Sequence, residues 1–272
     1  MYRIIVLSLC LLGISLDAGA QVESCDVTLT YIANEGTLIE SSGTKILIDG
    51  LHREYRRDYS FLPDSLENRL ENGVPPFDGI AVVLVSHVHR DHFEAAAVAR
   101  FLDKNDQAVL ISSPQVIDSV RAAGSTAPME TISLTSTESV ALTPHGILTT
   151  GVLPHSSARF RWIQNIGHRI DFDSISVLHV GDADINRRNF VESGLVNDPV
   201  DVAILPYWYL ISGDGRRLID ETIRPGRLIA AHVSPADVEE VRREVAQHYP
   251  DATVFGEMLG TTVVIEQKCP DE

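Results

Sequence analysis

One short segment constrains the fold of this chain more than any other: the heptapeptide Ser-His-Val-His-Arg-Asp-His, which directly follows the apolar run Ile80–Val85. A continuous apolar run of this length is typical of a strand that is buried on both faces of a sheet. Side chains two residues apart in extended backbone point to the same side, so His87 and His89 can bind one metal ion. Asp91 and His92, beyond a turn, can reach a second ion about 3.5–4 Å away. The spacing therefore predicts a two-metal site at the end of a buried strand.

A site for two ions needs more ligands, and three later residues are placed to supply them. His155, Asp182 and His232 each come within two residues of the end of an apolar run of strand length. Loops that bind ligands collect at one edge of a sheet, where its strands end, so we expect these residues to join the histidine motif. Of the other histidines, His145 stands before its strand and is expected at the opposite end, and His52 is expected on the surface.

The rest of the chain repeats one order of elements twice: short apolar strands separated by turns come first, and helices follow. The second half includes a predicted strand at Thr131–Leu134 and a predicted helix from Pro235 to His248 with Ser234 as its N-cap. No linker or low-complexity tract separates the two halves of the sequence. We therefore predict an α/β fold in which two packed sheets carry helices on their outer faces.

Composition narrows the classes of function. The 272 residues contain 22 Lys and Arg against 38 Asp and Glu, which gives a formal net charge of −16. This charge argues against a protein that binds nucleic acid by neutralising phosphates. No apolar run reaches the roughly 18 residues that a membrane span needs. A small-molecule substrate is the expected partner, and the sequence leaves the oligomeric state open.

Residues 1–20 are typical of a secretory signal peptide rather than of a folded domain. A single positive charge precedes the apolar stretch Ile4–Leu16, and an Ala-Gly-Ala cleavage site ends at Ala20. We predict cleavage after this residue, export to the periplasm or the extracellular space, and one domain over residues 21–272. An uncleaved anchor helix is the alternative, although the apolar stretch is short for a membrane span.

The cysteines are consistent with export. Cleavage would remove Cys10 and leave Cys25 and Cys269, one near each end of the mature chain. Exported proteins form disulfides readily, so we predict a bridge between these two residues, with two free thiols as the alternative. Neither cysteine lies in a Cys-x-x-Cys pattern or near a histidine cluster, which argues against a thiolate metal site.

Together with Asp49 in Leu-Ile-Asp-Gly, the motifs resemble those of the metallo-β-lactamase-fold hydrolase superfamily. They occur in that family's order over residues 49–232, which are most of the mature chain. The branch that the sequence resembles most includes ascorbate-phosphate lactonase and the phospholipase D-type hydrolases of N-acyl ethanolamine phospholipids. The resemblance implies a four-layer αββα sandwich of two mixed β-sheets, two Zn²⁺ ions, and a hydroxide between the ions as the nucleophile.

The resemblance also implies a role for each motif residue. The first ion would be bound by His87, His89 and His155, and the second by Asp91, His92 and His232. Asp182 would bridge both ions. Asp91 and Asp182 are also the predicted catalytic residues. Asp49 is expected to orient a ligand histidine or its loop, and capping of the turn before Gly50 is the alternative.

Substrate-binding residues are less sharply indicated. Tyr207 and Trp208 follow an apolar run and are predicted to form an aromatic wall at the metal edge. Arg159 and Arg161 follow the predicted ligand His155 by a few residues. They are predicted to clamp a phosphate or a carboxylate. The alternative for all four is a packing role at the rim of the site.

The sequence thus predicts a secreted, dinuclear zinc-dependent hydrolase that acts on a phosphodiester, a phospholipid-like molecule or a lactone. A β-lactam-type hydrolase is one alternative, although His155 lies in Pro-His-Ser-Ser and lacks the Gly-His-Thr setting of most lactam- and thioester-cleaving relatives. A non-catalytic protein that binds a metal or a partner on the same scaffold is another, and the complete set of ligands argues against it.

Overall fold

The computed structural model describes residues 25–143 and 146–267. The predicted signal peptide, His145 and Cys269 lie outside the described residues, so what the sequence predicts for them stays a prediction.

Within the described residues, fourteen strands pair into two seven-stranded sheets. In chain order the strands are β1 (Val27–Tyr31), β2 (Thr37–Ser41), β3 (Thr44–Ile48), β4 (Ile80–Val85), β5 (Val109–Ser112), β6 (Met129–Thr131), β7 (Glu138–Thr143), β8 (Gly146–Val152), β9 (Ile166–Phe172), β10 (Ile175–His179), β11 (Val202–Pro206), β12 (Arg227–Ala231), β13 (Thr253–Val254) and β14 (Thr262–Ile265). The first sheet has the order β14-β1-β2-β3-β4-β5-β6, and the second has the order β13-β12-β11-β10-β9-β8-β7.

Both sheets are mixed, as the sequence predicts. In the first sheet the neighbours from β14 to β3 are antiparallel, and those from β3 to β6 are parallel. In the second sheet the neighbours from β7 to β10 are antiparallel, and those from β10 to β13 are parallel. Each sheet therefore joins an antiparallel half to a parallel half whose connections carry helices. The antiparallel pairs are formed by strands that follow one another in the chain, except for β14 with β1.

Helices cover the outer face of each sheet. They are α1 (Asp64–Glu71), α2 (Ala95–Lys104), α3 (Pro114–Ala122), α4 (Arg187–Glu192), α5 (Tyr207–Ile211), α6 (Gly213–Leu218) and α7 (Val238–Ala246), with a 3₁₀ turn at Ala158–Phe160 and a π-helical turn at Ile219–Ile223. The first three pack on the first sheet, and the other four pack on the second. Among the described residues, no helix is both long and apolar enough to cross a membrane.

The apolar runs of the sequence follow from this layering. In β4, Val82 and Leu84 face the second sheet, whereas Val83 and Val85 face the helices outside the first sheet. Because both faces are buried, the strand is apolar throughout rather than alternating. The predicted four-layer αββα sandwich is confirmed.

Two predicted elements differ from the observed ones. The helix expected from Pro235 to His248 is the shorter α7, because Asp237 N–H donates to the Ser234 carbonyl at 2.9 Å and closes a turn before the helix begins. The strand expected at Thr131–Leu134 ends at its first residue. Beyond it, the Ser133 N–H donates to the Glu138 carboxylate at 3.0 Å instead of to a neighbouring strand.

Candidate metal centre

The predicted ligands lie in loops that leave the same edge of the sandwich. The loop after β4 carries the histidine motif, and those after β8, β10 and β12 carry one further residue each. The structure thus brings together, from both sheets, the residues that the sequence selects as ligands: His87, His89, Asp91, His92, His155, Asp182 and His232.

The backbone of the motif explains how four side chains within six residues reach one place. It leaves β4 through His87 and turns at His89, whose carbonyl accepts hydrogen bonds from the N–H groups of His92 at 3.0 Å and Phe93 at 2.9 Å. Nε2 of His87 and Nδ1 of His89 lie 3.0 Å apart. The turn between them and His92 separates the motif into two pairs, as its spacing predicts.

One group consists of His87, His89, His155 and Asp182, whose ligand atoms lie within 4.8 Å of one another. We name it the three-histidine half. His155 Nε2 is 3.2 Å from His89 Nδ1 and 3.4 Å from Asp182 Oδ2. The same carboxylate oxygen is 3.8 Å from His87 Nε2. Three imidazoles and one carboxylate oxygen are a donor set that suits Zn²⁺.

The second group consists of Asp91, His92 and His232, whose ligand atoms also lie within 4.8 Å of one another. We name it the two-histidine half. Asp91 Oδ2 lies 3.0 Å from His232 Nε2. Asp182 Oδ1 lies 3.5 Å from Nε2 of His92 and 3.5 Å from Nε2 of His232. Asp182 therefore presents one oxygen to each half.

Buried polar atoms test whether this arrangement suits a cation. His92 Nε2 and Asp182 Oδ1 are buried and have no hydrogen-bond partner among the described residues, and the 3.0 Å contact of buried His232 Nε2 with Asp91 Oδ2 lacks hydrogen-bond geometry. Such atoms are rare, because leaving one unpaired costs about 1–3 kcal/mol. Here they converge from three different loops, and each is a common metal ligand. The residues fit a pair of divalent ions.

Asp49 lies behind the centre and orients one of its histidines. Its Oδ1 accepts a hydrogen bond from Ser86 N–H at 2.7 Å, and its Oδ2 lies 2.5 Å from the Ser86 hydroxyl and 2.9 Å from His92 Nδ1. Burial raises the pKa of Asp49, but the hydrogen bond and charge of His92 outweigh burial and hold this pKa well below its ordinary value. Because Nδ1 of His92 donates to this carboxylate, Nε2 is the nitrogen that would bind a metal ion, and it would lose its proton on binding.

The surroundings of the centre shift the pKa values of His87 and His92 in opposite directions. Burial, together with the positive charge of His92, lowers the pKa of His87 well below its ordinary value. Burial also disfavours the charged form of His92, but the carboxylates of Asp182 and Asp91 outweigh it and raise the pKa of His92 well above the ordinary value. A similar competition, between burial and the charges of His232 and His92, lowers the pKa of Asp182. The surroundings thus lower the pKa of Asp49, Asp91 and Asp182 and favour their ionised forms.

Hydrogen bonds connect the loops after β8 and β10. Ser156 N–H donates to the Asp182 carbonyl at 2.8 Å, and Asp184 N–H donates to the Pro154 carbonyl at 2.8 Å. Between them, the Asn165 amide donates to one carbonyl at the end of each strand, at 2.9 and 3.0 Å. Its Oδ1 accepts from Asp182 N–H at 3.2 Å. The two loops therefore place their ligands as one unit.

Gly181 permits this close packing. Its φ is +54°, and a Cβ atom at this position would lie 2.6 Å from Asn165 Oδ1 and 2.6 Å from the Ser86 Cβ. Both the left-handed backbone and the lack of space call for glycine directly before Asp182.

Comparison with known families settles the class of this domain. The family model described as beta-lactamase superfamily domain matches residues 28–214. The chain belongs to the beta-lactamase superfamily. No curated protein shows a significant sequence match to the chain. Membership in the superfamily supports the predicted hydrolase, whereas the branch that the sequence resembles stays a prediction.

Solved structures of the superfamily fold agree. Igni18, a metallo hydrolase from the archaeon Ignicoccus hospitalis, is 20% identical, with a TM-score of 0.60 over 89% of this chain and 100% of its own. An isothiocyanate hydrolase from Delia radicum gut bacteria is 14% identical, with a TM-score of 0.63 over 88% and 100%. Zn²⁺-bound PqqB from Methylobacterium extorquens is 14% identical, with a TM-score of 0.54 over 88% and 99%.

Two residues of this superfamily domain escaped the sequence analysis. Asn34 and Glu35 lie in the loop after β1, at the same edge as the predicted ligands. The Asn34 amide donates to the Asp91 carbonyl at 2.9 Å, and His232 N–H donates to the Asn34 carbonyl at 3.1 Å. Burial raises the pKa of Glu35 to about 8 despite the positive charge of His92 nearby. The only signal in the sequence is an Asn-Glu-Gly turn after an apolar strand.

Aromatic side chains surround the two-histidine half. The rings of Trp208 and Tyr59 contact the His232 ring at centroid distances of 5.1 and 5.6 Å. The Tyr55 hydroxyl donates to Asp91 Oδ1 at 3.3 Å. Trp208 is thus at the predicted position, as part of helix α5 rather than of an extended wall, and the two tyrosines add a side of the rim that the sequence analysis missed.

The three-histidine half has its own rim. The Phe160 ring lies 4.6 Å from the His89 ring, and the Arg159 guanidinium lies 4.3 Å above Phe160. Arg161 instead donates to the Asp184 carboxylate at 2.7 Å, which neutralises its charge. The structure therefore leaves Arg159, rather than Arg161, available to an anionic group.

Two further buried histidines, His179 and His52, lie outside the proposed ligand set. Gly181 N–H donates to His179 Nδ1 at 3.3 Å, so His179 Nε2 carries a hydrogen, which it donates to the Glu35 carbonyl at 3.3 Å. His52 was expected on the surface, and this is wrong. It is only 4% exposed, because the Phe61 ring packs against it at 5.2 Å.

Proposed function

We propose that this protein is a hydrolase that works with two divalent ions, one in each half of the centre. The observation that carries the proposal is the position of Asp182, whose Oδ2 lies 3.4 Å from His155 Nε2 and whose Oδ1 lies 3.5 Å from His232 Nε2. A carboxylate in this position can join two cations and offset part of their charge. The complete ligand set favours an enzyme over a non-catalytic binding protein.

Two such ions, when bound, supply an activated water and polarise the bond under attack. The residues of the chain hold the two ions and orient the side chains that bind them. Asp49 keeps His92 in the tautomer that leaves Nε2 free, since His92 Nδ1 lies 2.9 Å from its carboxylate. Tyr55, whose hydroxyl donates to Asp91 Oδ1 at 3.3 Å, orients this carboxylate for the ion of the two-histidine half.

We propose Zn²⁺ as the ion of the three-histidine half. Nitrogen-rich, four-coordinate sites are typical of zinc, and the histidines His87, His89 and His155 supply three of the four donors. Zn²⁺ in the second half as well is the prediction from the sequence.

We further propose a phosphodiester, phospholipid-like or lactone substrate. The rim formed by Tyr59, Trp208 and Phe160 suits the apolar part of such a molecule. Arg159, at the same rim, supplies a positive charge for a phosphate or a carboxylate. Opening of a β-lactam is the less favoured alternative, because the residues around His155 differ from those that such relatives carry.

We also propose that the protein is exported. The apolar stretch Ile4–Leu16 and the small residues up to Ala20 support a cleaved signal peptide and a periplasmic or extracellular enzyme. In that compartment, a bridge between Cys25 and Cys269 would join the two ends of the mature chain.

A combined measurement of metal content and activity tests the function. The purified protein should contain two divalent ions per chain, and it should hydrolyse at least one of a bis-aryl phosphate, an acyl lactone, a phospholipid and a chromogenic cephalosporin. His155→Ala should lose both properties, and Arg161→Ala, which removes a cation already paired with Asp184, should keep both. A wild-type chain with one ion or none, and no turnover across the panel, would contradict the proposal.

A further inference from the structure

The Glu35 carboxyl group is buried at the metal edge. Its residue is 1% exposed, and neither of its oxygens has a hydrogen-bond partner among the described residues. Ring nitrogens of His92 and His179 lie 3.7 Å from Oε2, whereas Glu67 and Glu71 both contact the guanidinium of Arg53. A buried carboxyl group without such a guanidinium partner takes up a proton unless a cation compensates its charge, so Glu35 is suited to bind a cation.

The backbone holds Glu35 in place. Gly36 N–H donates to the Ala33 carbonyl at 2.6 Å, and Ile32 N–H donates to the Gly36 carbonyl at 2.8 Å. His179 donates to the carbonyl of Glu35 itself at 3.3 Å. These hydrogen bonds hold the backbone on both sides of Glu35 in place.

A separate cation site behind the centre does not account for Glu35. Ligand atoms of Glu35, Asp49 and His179 do lie within 4.8 Å of one another. However, His179 Nε2 carries the hydrogen that it donates to the Glu35 carbonyl, so this nitrogen has no lone pair for a cation. The Asp49 oxygens already face Ser86 and His92.

The free oxygens of Glu35 instead belong with the two-histidine half. Ligand atoms of Glu35, His92 and Asp182 lie within 4.8 Å of one another, and Glu35 Oε2 is 3.7 Å from the His92 ring nitrogen Nδ1. Asp182 Oδ1 and His92 Nε2 are themselves buried and unpartnered among the described residues. Unpaired donor atoms of three elements thus share one space.

We propose that Glu35 is a further metal-binding residue of the two-histidine half, and that it gives this half a preference for a harder cation than Zn²⁺. The inference rests on the two-ion centre of the proposed function. With Glu35, the half offers carboxylates from Glu35, Asp91 and Asp182 beside two imidazoles, whereas the other half offers three imidazoles and one carboxylate. Oxygen-rich donor sets favour cations such as Mn²⁺, and nitrogen-rich ones favour Zn²⁺.

Metal titration of the metal-free protein tests this assignment. Wild-type protein should bind two ions, with Zn²⁺ preferred at one site and Mn²⁺ competing effectively at the other. Glu35→Gln should leave the first binding event unchanged, weaken the second by about 10–100-fold, and remove the competition by Mn²⁺. The matched control is Glu71→Gln, a buried carboxylate that accepts from Arg100 at 3.0 Å on the outer face of the first sheet, and it should bind both ions as the wild type does.

Thermal unfolding gives a second readout, because the effect of the substitution should depend on metal. Without metal, Glu35→Gln should be about as stable as the wild type, because burial raises the pKa of Glu35 to about 8 and the amide then replaces a largely protonated carboxyl group of nearly the same shape. With saturating metal it should be less stable than the wild type, because it gains less from binding. A residue that only supports the fold would lose stability in both states, as we expect for Glu71→Gln.

The outcomes separate this inference from the proposed function. If the wild type binds two ions and Glu35→Gln binds them with unchanged affinity and selectivity, the inference is wrong and the proposed function stands. If the wild type binds fewer than two ions, the proposed function fails first. Should Glu35→Gln not fold, Glu35→Asp, which keeps the charge but withdraws the oxygens, should show the same selective loss at the second site, and wild-type binding by it would overturn the inference.

Discussion

Replacement of Gly181 by alanine tests whether the tight junction before Asp182 governs the centre. The substitution has two separable costs. Alanine at a φ of +54° is strained by about 1–2 kcal/mol, as any L-residue is in the left-handed region. Its Cβ would also lie 2.6 Å from Asn165 Oδ1 and from the Ser86 Cβ, and overpacking of this kind adds about 1–3 kcal/mol. We expect Gly181→Ala to lower the free energy of unfolding by about 2–5 kcal/mol.

A matched variant at Gly79 measures the backbone strain alone, so the cost of the steric clash in Gly181→Ala follows from the difference between the two variants. Gly79 has a φ of +70°, and a Cβ there would meet nothing within 4 Å. Gly79→Ala should therefore carry the backbone strain alone, about 1–2 kcal/mol. For a domain of this size, the melting temperature should fall by about 2–8 °C in Gly79→Ala and by about 4–20 °C in Gly181→Ala.

The two variants should also differ at the centre. The clash in Gly181→Ala displaces Asn165 or Asp182, and a misplacement near 1 Å can cost about 10²-fold in rate. Urea unfolding, metal content and turnover of a working substrate measure these effects side by side. Equal losses of stability in the two variants, with two ions and normal turnover retained in Gly181→Ala, would refute the reasoning.

Three further predictions concern the bridging carboxylate of Asp182, cleavage of the signal peptide, and the disulfide between Cys25 and Cys269. Asp182→Asn should weaken binding of the second ion and lower activity by about three or more orders of magnitude, against about tenfold for Trp208→Ala, as metal analysis and kinetics will show. Exported protein should begin directly after Ala20, and a mass that includes residue 1 would exclude cleavage. Denatured, unreduced protein should show no thiol from Cys25 or Cys269, whereas two thiols per chain by titration would exclude the bridge.

The position of the site was predictable because it depends on where strands end. The run Ile80–Val85 is apolar on both faces, so its bounds are readable directly, and β4 has these bounds. Single ligands such as His155 and Asp182 were selectable because each closely follows a strand that is mainly, though not wholly, apolar. Local pattern is sufficient wherever burial on both faces leaves no polar residue in the strand.

Residues whose environment depends on distant loops were not predictable in the same way. Glu35 reads as part of an ordinary polar turn, and its burial results from packing against His92 and His179, 57 and 144 residues later in the chain. His52 reads as a surface residue because its neighbours are charged, yet Phe61 covers it. In each case tertiary contacts override the local signal.

The pairing of β14 with β1 has a consequence for how the chain is made. Val27 aligns with Ile265 in this pair, so β1 lacks this neighbour until more than 200 further residues have been synthesised. Until then, β1 presents an open strand edge of the kind that recruits other strands. Contacts so far apart in sequence also slow folding. Vectorial synthesis therefore leaves the first sheet unfinished until β14 is made, and an unpaired strand edge of this kind favours aggregation of the nascent chain.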